Sequence, residues 1–328
     1  MIFKKNKATI SINLQPISSP WGGGNQWVDT FSKYLRKNNY EVIHHLNKKN
    51  IDCIFIVDPR KTDNIKYGVN DIKNYIQKNS KTACIHRVNE NDKRKNTAFM
   101  DKLLEETNQV ADYTVFISTW LRDYHTSLWF DSKKPNEVIL NSANSQYFHP
   151  FKGAPHQSGT PFIFVTHHWS DNWLKGFKYY QLLDEAICNH KVSNLELHII
   201  GRWPNEIKWK SAKTYPATNG NHLAHLLKKG HGYITASQWE PGGMHFLEGA
   251  ACGLPLLYHE NGGGIIEVGK QMGIEFNDSN FLEKIYEFTQ NYMSLKFKTL
   301  SNYKTSNEMC SLYEKAAQKS ILIKRGYL

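Results

Sequence analysis

The chain has 328 residues, more than one hydrophobic core usually holds and about right for two. Its composition, 40% hydrophobic and 22% charged, excludes a disordered, collagen-like or coiled-coil chain. The net charge is +11, with 22 basic against 15 acidic residues in 1–150 and 19 against 15 in 151–328. Such an excess attracts anions in general, whether phosphorylated small molecules, anionic membrane surfaces or nucleic acid, and does not choose among them. No apolar run approaches the ~18–20 residues needed to span a bilayer, and the opening MIFKKNKATISINL lacks the apolar centre of a signal peptide. The five cysteines (Cys53, Cys84, Cys188, Cys252, Cys310) are odd in number, scattered and without a CxxC pair. They predict reduced thiols, no metal framework and a soluble cytoplasmic protein.

Strand-like and helix-like segments alternate from end to end, the pattern of an α/β protein with parallel sheets. In the first half, strands are predicted at Ala8–Leu14, Tyr40–His45, Ile51–Val57, Thr82–Val88, Tyr113–Ser118 and Glu137–Leu140. Helices are predicted at Asn25–Lys37, Asn70–Gln77, Ala98–Gln109 and Trp120–His125, the first from the helical spacing of Trp27, Val28, Phe31, Tyr34 and Leu35. The stretch Lys152–Gly159, rich in Gly, Pro and Ser, is the best boundary or hinge. A second series follows: Pro161–Thr166, Lys175–Asn189, Leu195–Ile200, His222–Lys229, Gly232–Thr235, Met244–Cys252 and Pro255–Tyr258, then a helical tail at Leu300–Ile323. The architecture this draws is two doubly wound domains facing a cleft.

The most informative stretch is Ser237-Gln238-Trp239-Glu240-Pro241-Gly242-Gly243-Met244-His245-Phe246-Leu247-Glu248. A strand runs into a Glu-Pro-Gly-Gly turn, and a helix begins near Gly243. Ligands of such sheets bind beyond the carboxyl ends of the strands. A helix N-terminus offers N–H groups and partial positive charge, and glycines let a phosphate approach the backbone. Glu240 lies at the mouth, and Glu248 about 7.5 Å along the helix axis. Two carboxylates around an anion site suit a ligand with hydroxyls on both sides of a diphosphate, as in a sugar nucleotide.

Glu240 and Glu248, followed by Gly249-Ala250-Ala251-Cys252-Gly253-Leu254-Pro255 and then Gly262-Gly263-Gly264-Ile265-Ile266-Glu267, resemble the group-1 (family 4-like) retaining glycosyltransferases of the two-Rossmann, GT-B type. Further motifs follow in the family's order. Gly22-Gly23-Gly24 resembles the glycine loop bordering donor phosphate and acceptor, with Gly23 and Gly24 as donor contacts. Ile139-Leu140-Asn141-Ser142-Ala143-Asn144, then Phe148-His149-Pro150, resembles the crossover between domains, with Ser142 and Asn144 where the family usually has Gly and Asp. Lys175-Gly176 resembles the Lys-Gly whose lysine neutralises the donor diphosphate. The arginine usual a few residues earlier is absent; Arg202 is the candidate for the missing charge, an ordinary exposed loop arginine being the other reading. His86 stands where the family has a histidine that contacts the donor sugar near the reacting carbon, against the alternative of a packed core histidine. The following Glu90-Asn91-Asp92 could face the acceptor. His167 and His168 are candidate neighbours of the diphosphate without the third ligand of a zinc site.

The resemblance implies the following. Residues 1–150 form an acceptor-side Rossmann-like domain, 151–300 the donor domain, and 301–328 a helix packing back toward the N-terminal domain. A sugar passes from a nucleoside-diphosphate sugar to a hydroxyl of a glycan or lipid-linked glycan, with retention. The catalytic candidates are Glu240 and His86; donor binding falls to Gly23, Gly24, Lys175, Arg202, Gly242, Gly243, Met244 and Glu248. No Asp-x-Asp occurs in the chain, so the helix N-terminus with Lys175 is expected to hold the diphosphate without a metal or other cofactor. Two alternatives stay open: a nucleic-acid-modifying glycosyltransferase using the basic run Lys93-Arg94-Lys95, and a non-catalytic partner subunit that binds sugar nucleotide. Charge also allows weak electrostatic contact of Lys4, Lys5, Lys93, Arg94 and Lys95 with an anionic membrane face.

Overall fold

A computed structural model describes residues 7–17, 22–60, 62–150, 156–157 and 159–328. The chain forms two compact units. The first comprises Met1–Asp92, Asn96–Asn141 and Ser306–Leu328; the second comprises Lys93–Lys95 and Ser142–Thr305. The change of unit therefore comes at Asn141–Ser142, ahead of the Lys152–Gly159 stretch, most of which lies outside the described residues.

The first unit is built on β1 (Thr9–Ile12), α1 (Gly23–Lys37), β2 (Glu41–Ile43), β3 (Cys53–Ile56), α2 (Val69–Lys78), β4 (Ala83–Val88), α3 (Met100–Asn108), β5 (Tyr113–Phe116), α4 (Thr119–Thr126) and β6 (Asn136–Val138). Its strands are all parallel, in the order β2-β1-β3-β4-β5-β6. Strands covered on both faces read as continuous apolar runs, and β3 (Cys-Ile-Phe-Ile) is buried at every residue.

The second unit contains β7 (Phe162–His168), a single 3-10 turn at Trp173–Lys175, α5 (Phe177–Cys188), β8 (Leu195–Gly201), β9 (Lys213–Tyr215), α6 (Gly220–Leu227), β10 (Gly232–Thr235), α7 (Met244–Ala251), β11 (Leu256–His259), α8 (Ile265–Met272), β12 (Gly273–Phe276), α9 (Phe281–Gln290) and α10 (Tyr292–Asn302). Its parallel sheet runs β12-β11-β10-β7-β8-β9. From β7 the chain moves outward through β8 and β9, then returns to place β10 on β7's other side. The topological switch point thus lies at the carboxyl ends of β7 and β10, where open α/β sheets bind ligands.

The predicted helical tail is two helices. Tyr303 turns to extended backbone after α10, and α11 (Ser306–Lys324) belongs to the first unit. There its Met309, Cys310, Tyr313, Ala316 and Ala317 pack in the core formed by β1, β3, β4 and α1. The Tyr313 ring stands 4.7 Å from that of Trp27, edge on. Arg87, buried on β4, lies 4.5 Å over Trp27 and donates to the Tyr313 hydroxyl at 3.0 Å and to Asn141 Oδ1 at 2.7 Å. A desolvated guanidinium on an indole contributes about 2 kcal/mol. All five cysteines are free thiols, and only Cys188 is exposed. Among the described residues no helix is long and apolar enough to cross a membrane.

Candidate active site

The site is built on the turn between β10 and α7. Trp239 takes a φ of 56°, a left-handed conformation that is an outlier for a bulky side chain and costs on the order of 1–3 kcal/mol. Its neighbours hold it there. Trp239 N–H donates to the Asn261 carbonyl at 2.9 Å, Gly264 N–H donates to the Glu240 carbonyl at 2.8 Å, and Gln238 N–H donates to the Leu174 carbonyl at 2.8 Å. The three-glycine motif at 262–264 is therefore the mould for this turn. Gly243 is the N-cap of α7 and contributes no side-chain oxygen to the first turn, leaving the end of the helix suited to an anion.

Glu240 is buried, and both of its carboxylate oxygens are taken. Lys175 Nζ donates to Oε2 at 2.6 Å, and Arg94 Nε lies 3.0 Å from Oε1 in an ion pair. Burial by itself would raise the Glu240 pKa; the charges of Arg94 and Lys175 outweigh it and hold the carboxyl well below the usual carboxylate range. To the expectation of Glu240 as an acceptor at the mouth the structure adds that its carboxylate is clamped by two cations.

Lys175 reaches Glu240 because the 3-10 turn sits directly on the end of β10. Gly176 allows this: its φ is +85°, and a Cβ there would fall 2.2 Å from the Ala236 Cβ. The predicted helix from Lys175 accordingly starts two residues later, at Phe177. Asn172 Oδ1 caps the turn by accepting from Leu174 N–H at 2.8 Å.

Behind the turn, Glu248 and His167 are both buried, and His167 Nε2 donates to Glu248 Oε2 at 2.7 Å. The other ring nitrogen, Nδ1, lies 3.1 Å from the Tyr233 hydroxyl. Glu248 Oε1 is buried without a partner, as is His168 Nδ1. Buried polar atoms are ordinarily paired, so this carboxylate oxygen on the first two turns of α7 is suited to accept from a hydroxyl. His168 and His245 are held well below the usual histidine range, first by burial and then by neighbouring positive groups. They stay neutral and leave Lys175 and Arg94 as the positive charge here. Among the described residues no group of three His, Cys, Asp or Glu is disposed to hold a metal.

The other predicted residues fare differently. Gly242, Gly243 and Met244 lie on the turn and the start of α7 as expected. Arg202 is exposed at the end of β8, its guanidinium donating to the Trp169 carbonyl at 3.2 Å. It is the exposed loop arginine of the alternative reading. Gly23 and Gly24 are the first residues of α1 rather than a loop, with Gly22 as N-cap. His86 is a correction. It lies inside β4, fully buried, and Asn108 Nδ2 donates to its Nδ1 at 3.1 Å while Nε2 has no partner. Burial first, then His125, lowers its pKa to about 3; this is a neutral core histidine rather than one exposed at a strand end. Asp92 is likewise structural: its carboxylate accepts from Thr97 Oγ1 and from the N–H groups of Phe99, Met100 and Asp101, fixing the start of α3.

Sequence reasoning missed Arg94. By charge alone, Lys93-Arg94-Lys95 is a basic run available to an anionic membrane face or nucleic acid. These residues belong with the second unit, where Lys93 Nζ stands 5.0 Å over the Trp239 ring and Arg94 pairs with Glu240. Lys4 and Lys5 lie outside the described residues.

The fold so defined is α/β, two Rossmann-like units of the GT-B class. No family model matches the sequence, and no curated protein does. Among solved structures, the chain is similar to HepE of Anabaena, in complex with UDP-glucose, with a TM-score of 0.68 at 10% identity over 95% of this chain and 100% of that one. It is similar to sucrose-phosphate synthase from Thermosynechococcus elongatus, with a TM-score of 0.63 at 13% identity over 98% and 99% of the two chains. It is also similar to a glycosyltransferase from Rickettsia africae, with a TM-score of 0.63 at 16% identity over 96% and 99%. At these identities the likeness is one of fold.

Proposed function

We propose that the protein is a glycosyltransferase that moves a sugar from a nucleoside-diphosphate sugar to a hydroxyl of a glycan or lipid-linked glycan. The observation that carries this reading is the pair of cations, Lys175 and Arg94, gathered on Glu240 beside the glycine-capped start of α7, with the unpaired Glu248 oxygen further along the same helix. Cations and a helix N-terminus match a diphosphate; Glu248 matches a ribose hydroxyl; Glu240 matches a hydroxyl of the transferred sugar. The likeness to HepE, whose structures hold UDP and UDP-glucose, supports the same ligand class.

In the proposed reaction the bond from the anomeric carbon to the diphosphate oxygen breaks and a bond to the acceptor oxygen forms. The acceptor proton passes to the departing phosphate. Lys175 and the α7 N-terminus stabilise charge as it builds on that phosphate, the kind of preorganised electrostatics that contributes most to such steps. Glu240, gripped by two cations, is suited to orient the sugar rather than to attack it. Transfer with retention and no enzyme nucleophile is proposed on the resemblance of the Glu240–Glu248 motif to the retaining glycosyltransferases, the acceptor oxygen entering on the face that the phosphate leaves. The same cations, with no Asp-x-Asp in the sequence, are the basis for proposing that no metal is needed.

The test is incubation with a panel of nucleoside-diphosphate sugars, following release of nucleoside diphosphate with and without chelator. The expected outcome is slow hydrolysis of one or two donors, unaffected by EDTA. A protein that neither binds nor hydrolyses any donor overturns the reading; activity lost with EDTA and restored by manganese overturns its metal-free part.

A further inference from the structure

One carboxylate needs one cation. Glu240 has two, and the second comes from a distant stretch of the sequence. Resting on the sugar-nucleotide reading above, we propose that Arg94 is the second diphosphate-binding cation of this enzyme, held on Glu240 and passed to the phosphate when the donor binds.

The stretch from His167 to Trp173, immediately before Lys175, contains neither arginine nor lysine, and Arg202 bonds to Trp169 instead of joining Lys175. The only guanidinium that the described residues place on Glu240 is that of Arg94. Its position is constructed rather than incidental. Its neighbour Lys93 rests over Trp239, the residue with the strained backbone. The Glu240 Cγ would lie 2.9 Å from a Cβ on Gly243, so the carboxylate and its cations sit against the N-cap of α7.

The exposures of the three side chains fit a hand-over. Glu240 is 6% exposed and Lys175 12%, whereas Arg94 is 25% exposed and so the more accessible cation. A diphosphate offers more charge and more oxygens than a carboxylate, and a guanidinium fork suits phosphate geometry. Transfer of Arg94 to the donor would release Glu240 Oε1 for a sugar hydroxyl. Donor binding would then itself open the catalytic carboxylate.

The experiment is calorimetry on the full-length protein, wild type, Arg94→Gln and Arg94→Lys, with UDP, GDP and ADP and with the matching nucleosides, after thermal melting shows all three folded. For whichever diphosphate the wild type binds, Arg94→Gln is expected to weaken affinity about tenfold or more, with Arg94→Lys in between and nucleoside affinity unchanged. Equal affinity of wild type and Arg94→Gln for the diphosphate overturns the hand-over while leaving the proposed function standing. Equal losses for diphosphate and nucleoside assign Arg94 a merely structural role and also overturn it. A wild type that binds none of the diphosphates overturns the sugar-nucleotide reading itself, and the role of Arg94 with it.

Discussion

The backbone carbonyl of Glu240 occupies the space a side chain at Gly263 would need: a Cβ there would lie 2.5 Å from the oxygen and 2.9 Å from the Glu240 nitrogen. The two residues form a parallel bridge, and Gly263 has a φ of +76°. The position of the carboxylate is therefore set by a glycine on a different loop.

Gly263→Ala is accordingly expected to damage the site beyond the cost of the backbone conformation, about 1–2 kcal/mol for a left-handed residue. The alanine methyl displaces Glu240, so donor hydrolysis should fall far more than stability does. Thermal melting and hydrolysis rates on the same preparation check this; full activity in Gly263→Ala would show that the turn is not held by this contact.

Glu240→Gln and Glu248→Gln should separate turnover from binding. Removing the Glu240 charge leaves Lys175 and Arg94 without their counter-ion, so nucleoside-diphosphate affinity should not weaken, while turnover falls about a hundredfold. Glu248→Gln keeps the shape but loses a charged acceptor, so donor affinity should fall about tenfold with a smaller effect on turnover. Steady-state kinetics with binding by calorimetry decides the matter; wild-type turnover in Glu240→Gln sinks its catalytic assignment.

Much of this site is legible in the sequence because its parts are local. Glu240, Gly243 and Glu248 share one turn and one helix, and a buried parallel strand such as Cys53–Ile56 announces itself as an unbroken apolar run. The short strands β9 (Lys-Thr-Tyr) and β12 (Gly-Ile-Glu-Phe), at the two edges of their sheet, carry no such run and escape notice. Arg94 escapes for a different reason. An ion pair between residues far apart in the chain leaves no local pattern, and a Lys-Arg-Lys run looks the same whether solvated or folded onto a site. His86 misleads because a strand's last residues read alike whether the side chain faces ligand or core.

The last helix should prove indispensable to the first unit. Tyr313 is fully buried against Trp27, Phe31 and Phe55 and accepts a hydrogen bond from Arg87. Tyr313→Ala removes a core aromatic and one of the hydrogen-bond partners of the buried Arg87 guanidinium, so a loss of about 3–5 kcal/mol is expected. Urea denaturation measures it; a shift below about 1 kcal/mol would mean that α11 contributes little to this core.

Stability should also fall on mild acidification, well before the carboxylates titrate. Burial lowers the pKa of His86 to about 3 and of His231 to about 4, and those of His168 and His245 well below the ordinary histidine value. Each of these rings is neutral in the folded protein and takes up a proton near pH 6.5 once unfolded. Between that pH and the lowered folded values the unfolded state binds more protons, so stability declines as pH falls through this window and is fully present above it. Glu240 acts later: its folded pKa is depressed, so its contribution is complete above the unfolded carboxylate value near 4.3 and is lost only below it. Melting temperatures measured at pH 7.5, 6 and 5 should therefore descend steadily in wild type. Replacing His86 by Asn should flatten part of that slope, since a side chain that never protonates removes one of the linked groups. An unchanged melting temperature from neutral pH down to 5 would show that these histidines are not held neutral by their burial.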